Sequence, residues 1–305
     1  MQQHSAVIFA LVCRRLTEDN RDPVRMDPLQ VLILAAIQGA AELLPVSSSA
    51  HVIVAEKLMG LDPTAPAMTL LLVMLHTGTM FAVIVYFWRS WRRSFFSSML
   101  AFREQALQIV LATAVTGVVG LLLMEAIKMA VTGSHPGFEI EHLFGNSRLI
   151  AVALAAAGVV IVVSSQLGAG EREISLPSAL WIGAVQGLCL PFRGFSRSGA
   201  TISTGLALNV QRRRAEEFSF ALAVVLTPAV IAREGWRLYK AEVAAAGADP
   251  IGFVHLLGPS LLGMVLSFLA GLLALRWLSR WLEQGRWYLF GIYCLFAALV
   301  VLWVG

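Results

Sequence analysis

The sequence predicts an all-α integral membrane protein with six transmembrane helices plus two re-entrant helical hairpins, arranged as an inverted-topology repeat. Three observations predict it. Of the 305 residues, 58% are hydrophobic and 14% charged, with a mean hydropathy of +0.75, whereas soluble domains carry about 25% charged residues. Six apolar runs, near 67–88, 105–127, 147–167, 217–233, 252–275 and 286–304, approach the roughly 20 residues that a helix needs to cross a hydrocarbon core. Two shorter apolar pieces, 28–44 and 177–190, each run into a break of Pro, Ser or Gly and are followed by a short helical stretch, 50–60 and 199–209. The runs are continuous and do not alternate, which favours helices over a β-barrel.

The two breaks read as imperfect copies. The first is Gln38-Gly39-Ala40-Ala41-Glu42-Leu43-Leu44-Pro45-Val46-Ser47-Ser48-Ser49-Ala50-His51, and the second runs from Gln186-Gly187 through Pro191-Phe192-Arg193-Gly194-Phe195-Ser196-Arg197-Ser198-Gly199-Ala200-Thr201. Sliding one onto the other pairs Gln38 with Gln186, Gly39 with Gly187 and Ser48 with Ser196, and places Arg197 on Ser49. A break repeated in two halves is a pointer to a binding site in a membrane protein. Backbone exposed at such a break is tolerated only where it is buried in protein or lines a wet cavity. Residues 26–305 form a single polytopic domain, with repeats near 28–165 and 177–304.

Charge orients the bundle. The loops after 67–88, between 167 and 217, and after 252–275 carry eleven arginines outside the second break, against five Lys or Arg in the opposite loops. The positive-inside rule places the first set in the cytoplasm, so the first hairpin enters from outside and the second from inside. The run Arg212-Arg213-Arg214 reads as a cytoplasmic anchor to anionic lipid. Residues 1–25 lack the order of a signal peptide, since the charged run Arg14 to Arg25 follows the short apolar stretch. They read as a disordered leader or as sequence upstream of a start at Met26. The cysteines are scattered without metal-ligand spacing, and nothing suggests nucleic acid.

The breaks divide the chemistry. Glu42 is an ionisable residue inside an apolar segment, which costs at least ~2.5 kcal/mol on insertion scales and marks a functional candidate. It offers a metal ligand or a general base; a purely structural role would pair it with an internal arginine. Ser47, Ser48 and Ser49 precede a helix whose free N–H groups and dipole attract an anion, and with His51 they offer a nucleophile, phosphate donors and a proton-transfer group. In the second break, Arg193 and Arg197 can fork onto phosphate oxygens, with Ser196, Ser198 and Thr201 as hydroxyl donors. Mg²⁺ usually takes one or two carboxylates plus substrate phosphates, so one Glu suffices in principle. The combination predicts chemistry on a lipid whose phosphate head enters the bundle. His76, in Leu75-His76-Thr77, either packs or lines the cavity; Ser219 is a candidate to face the site beside a span kinked at Pro228.

Gln38 through His51 resembles the first motif of the undecaprenyl-pyrophosphate phosphatases, also called bacitracin-resistance proteins. Gly194-Phe195-Ser196-Arg197-Ser198-Gly199-Ala200-Thr201 resembles their second motif, and Phe218-Ser219-Phe220 with Pro228 the segment after it. The resemblance covers 26–305. It implies hydrolysis of undecaprenyl pyrophosphate to the monophosphate carrier lipid, requiring Mg²⁺ or Ca²⁺, in the bacterial inner membrane at a site open to the periplasm, often in a homodimer. It implies Glu42 as the catalytic acid that binds metal or acts as base, and Ser48 as nucleophile unless water attacks directly. His51 would assist proton transfer, and Arg197, Ser196 and Thr201 would hold the pyrophosphate, with Gln38, Ser47, Ser49, Arg193 and Ser198 also facing substrate. Three departures stand out: Gln38 where some members have Glu, Ala50 where Gly is usual, and one added residue in Pro191-Phe192-Arg193-Gly194. The acid-phosphatase-like lipid phosphatases are a poor match, because their Pro-Ser-Gly-His segment is absent. A polyprenyl-phosphate transporter on the same inverted repeat is the alternative.

Overall fold

A computed structural model describes residues 27–62, 66–132, 146–168, 170–192, 194–244 and 250–304. The expected leader, residues 1–25, lies outside the described residues, as does Arg193. The described residues form ten helices: α1 (Pro28–Leu43), α2 (Ser48–Leu58), α3 (Pro66–Ser94), α4 (Met99–Thr132), α5 (Ser147–Ser165), α6 (Leu176–Cys189), α7 (Arg197–Ala207), α8 (Arg212–Ala244), α9 (Pro250–Glu283) and α10 (Tyr288–Val304). Among them the one β-bridge joins Arg172 to Val210.

The helices start where side chains satisfy the free N–H groups of the first turn. Asp27 accepts from Leu29 N ahead of Pro28 at the first helical position of α1. Asn146 caps α5, and Ser175 with Ser178 forms a capping box on α6. Both return helices begin two residues earlier than the sequence pattern suggests. Ser196 caps α7 by accepting from Gly199 N at 3.2 Å, and Ser47 holds the matching position before α2.

Five stretches are long and apolar enough to cross a membrane: Met68–Ser94, Met99–Ala130, Ser147–Ser165, Arg212–Trp236 and Leu257–Glu283. The sixth expected span, 286–304, is the 17-residue α10, about 25 Å long at 1.5 Å per residue. It is shortened because residues 284–287 form a turn, with Gly285 at φ +73°, that brings Trp287 inward. The outer faces are strongly apolar: Val118, Leu121 and Leu122 on α4, and Phe296, Leu299 and Trp303 on α10, are all exposed. So much bare apolar surface needs a lipid solvent. The chain is a multi-pass membrane protein.

The packing pairs the two halves. α1 lies against α9, α6 against α4, α3 against α8, and α5 against α10. Exchanging the halves maps the first two pairs onto each other and each of the last two onto itself. α3 packs far more extensively on α9 than α8 does on α4, so the copies are not equivalent. Small residues let the backbones approach, as expected where apolar area alone does not drive helices together. A Cβ on Gly39 would lie 2.6 Å from Ala270 Cβ, and one on Gly187 would lie 2.8 Å from the Thr116 carbonyl. At the α5–α10 crossing the contact is reciprocal: a Cβ on Gly158 would meet Gly291 O at 2.8 Å, and one on Gly291 would meet Gly158 O at 2.7 Å. Gly158→Leu is therefore expected to destabilise the protein by about 1–3 kcal/mol through overpacking. Thermal melting in detergent checks this against Gly117→Ala, which faces open space and should not lower the transition.

Two polar networks fix the elements around the breaks. Fully buried Trp287 donates from its indole N–H to Ser164 and Ser203, both at 3.2 Å, and Ser164 donates to Ser203 at 2.8 Å, tying α5 and α7 together. At the start of α8, Glu217 accepts from Arg213 and Arg214, each at 3.0 Å, and from Ser90 on α3, while Glu216 accepts from Ser279 on α9. Arg212 donates to the Glu283 carbonyl. Within the arginine run, Arg212 thus joins α8 to the end of α9, while Arg213 and Arg214 hold Glu217 from within α8 itself.

Candidate active site

The site is built where the two breaks meet. α1 ends at Leu43, one residue past Glu42, and Pro45 and Val46 turn the chain so that Ser48 opens α2. Ser48 Oγ donates to Glu42 Oε2 at 2.6 Å, and Gln38, one helical turn earlier on α1, donates to the same oxygen at 3.2 Å. From the second break, Arg197 Nη2 donates to Glu42 Oε1 at 3.4 Å. His76 on α3 brings Nε2 to 3.8 Å from Glu42 Oε2. One carboxylate is therefore ringed by a hydroxyl, an amide, a guanidinium and an imidazole, contributed by both hairpins and one span.

A second contact joins the breaks: Ser198 Oγ donates to the Leu44 carbonyl at 3.4 Å. The Glu42 and Arg197 side chains keep 21% and 24% exposure, so the pair lies at an accessible surface within the bundle. Arg197 Nη1 is buried and has no hydrogen-bond partner among the described residues. Such a donor normally finds an acceptor, since leaving one unmet costs about 1–3 kcal/mol.

The other sequence candidates divide. Ser196 caps α7 and lies 3.4 Å from the Ser198 hydroxyl. Thr201 Oγ1 is 2.6 Å from Ser219 Oγ and also donates to the Arg197 carbonyl at 2.8 Å, which braces α7 against α8. His51 is engaged away from Glu42, with Nδ1 on the Ser47 carbonyl at 2.8 Å and Nε2 on the Tyr293 hydroxyl at 2.6 Å. Ser47 is buried. Ser49 lies on α2, its side chain outside the described residues.

The sequence-level pairing of the copies shifts by one residue. With the residues preceding α2 and α7 aligned, Ser47 matches Ser196 and Ser48 matches Arg197. The extra residue of the second break accounts for the shift. The two first helical residues, one a hydroxyl and one a guanidinium, both reach Glu42. Of two further neighbours of the site, sequence reasoning leaves His76 between packing and lining the cavity and passes over Tyr293, because each sits in a full apolar segment. His76 could have been favoured as the ionisable residue of α3 nearest its centre; Tyr293 gave no local signal.

With this geometry in place, comparison with known proteins gives a consistent picture. A sequence model of the family described as bacitracin resistance protein BacA matches residues 31–300. The chain belongs to the BacA family. Among similar proteins, undecaprenyl-diphosphatase 2 of Acinetobacter baylyi is 66% identical over 278 residues, covering 91% of this chain and 98% of that protein. The undecaprenyl-diphosphatase of Desulfosudis oleivorans is 33% identical over 92% of this chain and 99% of its own length, and that of Korarchaeum cryptofilum is 31% identical over 91% and 99%. The BacA match takes in both breaks and all the helices between α1 and α10.

Proposed function

We propose that this BacA-family chain hydrolyses undecaprenyl pyrophosphate to undecaprenyl phosphate and phosphate, recycling the carrier lipid for cell-wall polymer synthesis and so conferring bacitracin resistance. The single observation that carries the reading is the Glu42 carboxylate, held between the Ser48 hydroxyl and the Arg197 guanidinium where the two breaks meet. The names of the relatives support the same activity. α1–α2 and α6–α7 act as re-entrant hairpins of an inverted repeat with α3–α5 and α8–α10 as six spans, in the inner membrane, with the reacting centre open to the periplasm.

Ser48 is aligned to lose its proton to Glu42, since it already donates to that carboxylate. In the reaction its oxygen bonds to the terminal phosphorus, the bridging P–O bond breaks, and the electron pair leaves on undecaprenyl phosphate. Glu42 passes the serine proton on to the departing phosphate oxygen or to solvent; water then attacks the phosphoserine, Glu42 takes the water's proton, and that proton returns to the Ser48 oxygen as its bond to phosphorus breaks. Arg197 grips the terminal phosphate through the Nη1 group that has no partner among the described residues. The N-termini of α2 and α7 add their dipoles to the negative charge. Trapping phosphate on Ser48 supports this order of events; direct attack by water would leave Ser48 as a ligand.

The residues present fit a hard divalent cation only with help from substrate. Among the described residues no group of three or more His, Cys, Asp or Glu could hold a metal. Glu42, the Gln38 amide oxygen and the Ser48 hydroxyl offer oxygen donors, and Mg²⁺ or Ca²⁺ would complete its shell with phosphate oxygens. A bound cation would neutralise charge building on the pyrophosphate.

Purified protein is expected to release phosphate from polyprenyl pyrophosphate and to lose most of that activity in EDTA, with recovery on adding Mg²⁺ or Ca²⁺. The exchange of packing pairs between the halves also favours an alternative reading, transport of polyprenyl phosphate. Protein that releases no phosphate yet moves lipid between leaflets would establish that alternative.

A further inference from the structure

We propose that Tyr293 and His51 form a latch that fixes the turn at Ser47 and thereby presents the Ser48 hydroxyl to Glu42. The inference rests on reading Ser48 and Glu42 as the reacting pair. Ser47 has φ +64°, in the left-handed region where a side chain is strained. It is the residue directly before Ser48, so its backbone angles set where that hydroxyl points.

His51 closes this turn. Its Nδ1 lies 2.8 Å from the Ser47 carbonyl, and a carbonyl oxygen only accepts, so Nδ1 carries the proton. In the neutral ring Nε2 is then an acceptor, and the Tyr293 hydroxyl 2.6 Å away donates to it. The two rings also stack, with centroids 5.7 Å apart and planes 15° from parallel. The next residue of α10 adds a second point of attachment, where Cys294 Sγ donates to the Pro45 carbonyl at 3.2 Å. α10 therefore holds the first break at two successive residues.

The second break meets the same demand differently. Its left-handed residue is Gly194, at φ +104°, whose backbone is pressed so closely on Ile150 that a Cβ would lie 2.4 Å from that carbonyl. Glycine adopts this conformation unaided; Ser47 does not. With both ring nitrogens engaged, neutral His51 has no lone pair left for the substrate, so Tyr293 and His51 are positioning residues.

Phosphate release from polyprenyl pyrophosphate by purified variants tests the latch. Tyr293→Phe keeps the stacked ring and removes the hydroxyl; it is expected to lower kcat about tenfold without moving either limb of the pH profile. In a Ser47→Gly background the same change should cost under about twofold, because glycine holds the turn without the latch. An equal penalty in both backgrounds overturns the latch, as does a displaced limb, which would make Tyr293 a tuner of proton transfer by His51. A ¹⁵N spectrum of histidine-labelled protein reads the latch without turnover. It should show Nδ1 protonated and Nε2 accepting, and the opposite tautomer overturns the proposal. Wild type that releases no phosphate sinks the hydrolase reading alone, and the histidine spectrum still decides the latch.

Discussion

Glu42→Gln is expected to lower kcat for phosphate release by roughly 10³–10⁴-fold, with a much smaller change in KM, in line with the loss of a positioned general base. The substitution keeps the shape of the side chain and leaves an oxygen that can still accept from Ser48 and Arg197, the two partners now at 2.6 and 3.4 Å. What it removes is the capacity to take a proton and to offer a full negative charge to a cation. Glu42→Ala should be worse for stability, because Arg197 would then face a partly buried site with no counter-charge. Steady-state kinetics alongside thermal melting separates the two effects. A Glu42→Gln enzyme that keeps a tenth or more of wild-type kcat would falsify the base assignment.

Much of this site was legible in the sequence because it is written twice. The duplicated Gln-Gly, followed by a break in an apolar run, marked both hairpins, and their contrasting charges predicted that Glu42 and Arg197 would face each other; they lie 3.4 Å apart. The exact partnership of the copies was not legible. One added residue near Arg193 shifts the register, so that the residue matching Arg197 is Ser48 and not Ser49. A one-residue offset in a break of irregular backbone leaves no periodic trace, whereas in a helix it would turn the apolar face by about 100°. His76, legible only as a residue that packs or lines the cavity, and Tyr293, not legible at all, were obscured for a different reason. Each sits in a continuous apolar helix, and Tyr293 meets His51 from 242 positions away, a contact that only the packing of α10 near the first break creates. The helix starts expected at 67, 147, 252 and 286 were readable to within two residues, but α3, α8 and α9 run on past their apolar stretches to Ser94, Ala244 and Glu283, where charged residues continue the helix and hydropathy carries no signal.

Arg197→Lys should lower kcat/KM by roughly 10²–10³-fold, the cost of removing one preorganised donor from a developing anion. The lysine retains the charge and could still neutralise Glu42, so the comparison isolates the planar fork. In the present geometry one arm of that fork is committed to Glu42 Oε1, and Nη1 is buried without an acceptor among the described residues. A pyrophosphate oxygen brought to Nη1 would satisfy it, so a turn of the partly exposed side chain toward substrate relieves a cost that the free enzyme carries. Lysine has no second arm and cannot hold Glu42 and a phosphate oxygen in one plane. The kinetic deficit should therefore come with weaker product inhibition by inorganic phosphate, measured in the same assay. If Arg197 served only to neutralise Glu42, Arg197→Lys would behave as wild type in both measurements. Arg197→Met would then lose stability and activity together, and pairing it with Glu42→Gln would restore stability. Under the phosphate-gripping reading the double variant folds and stays inactive, since neither the base nor the fork remains.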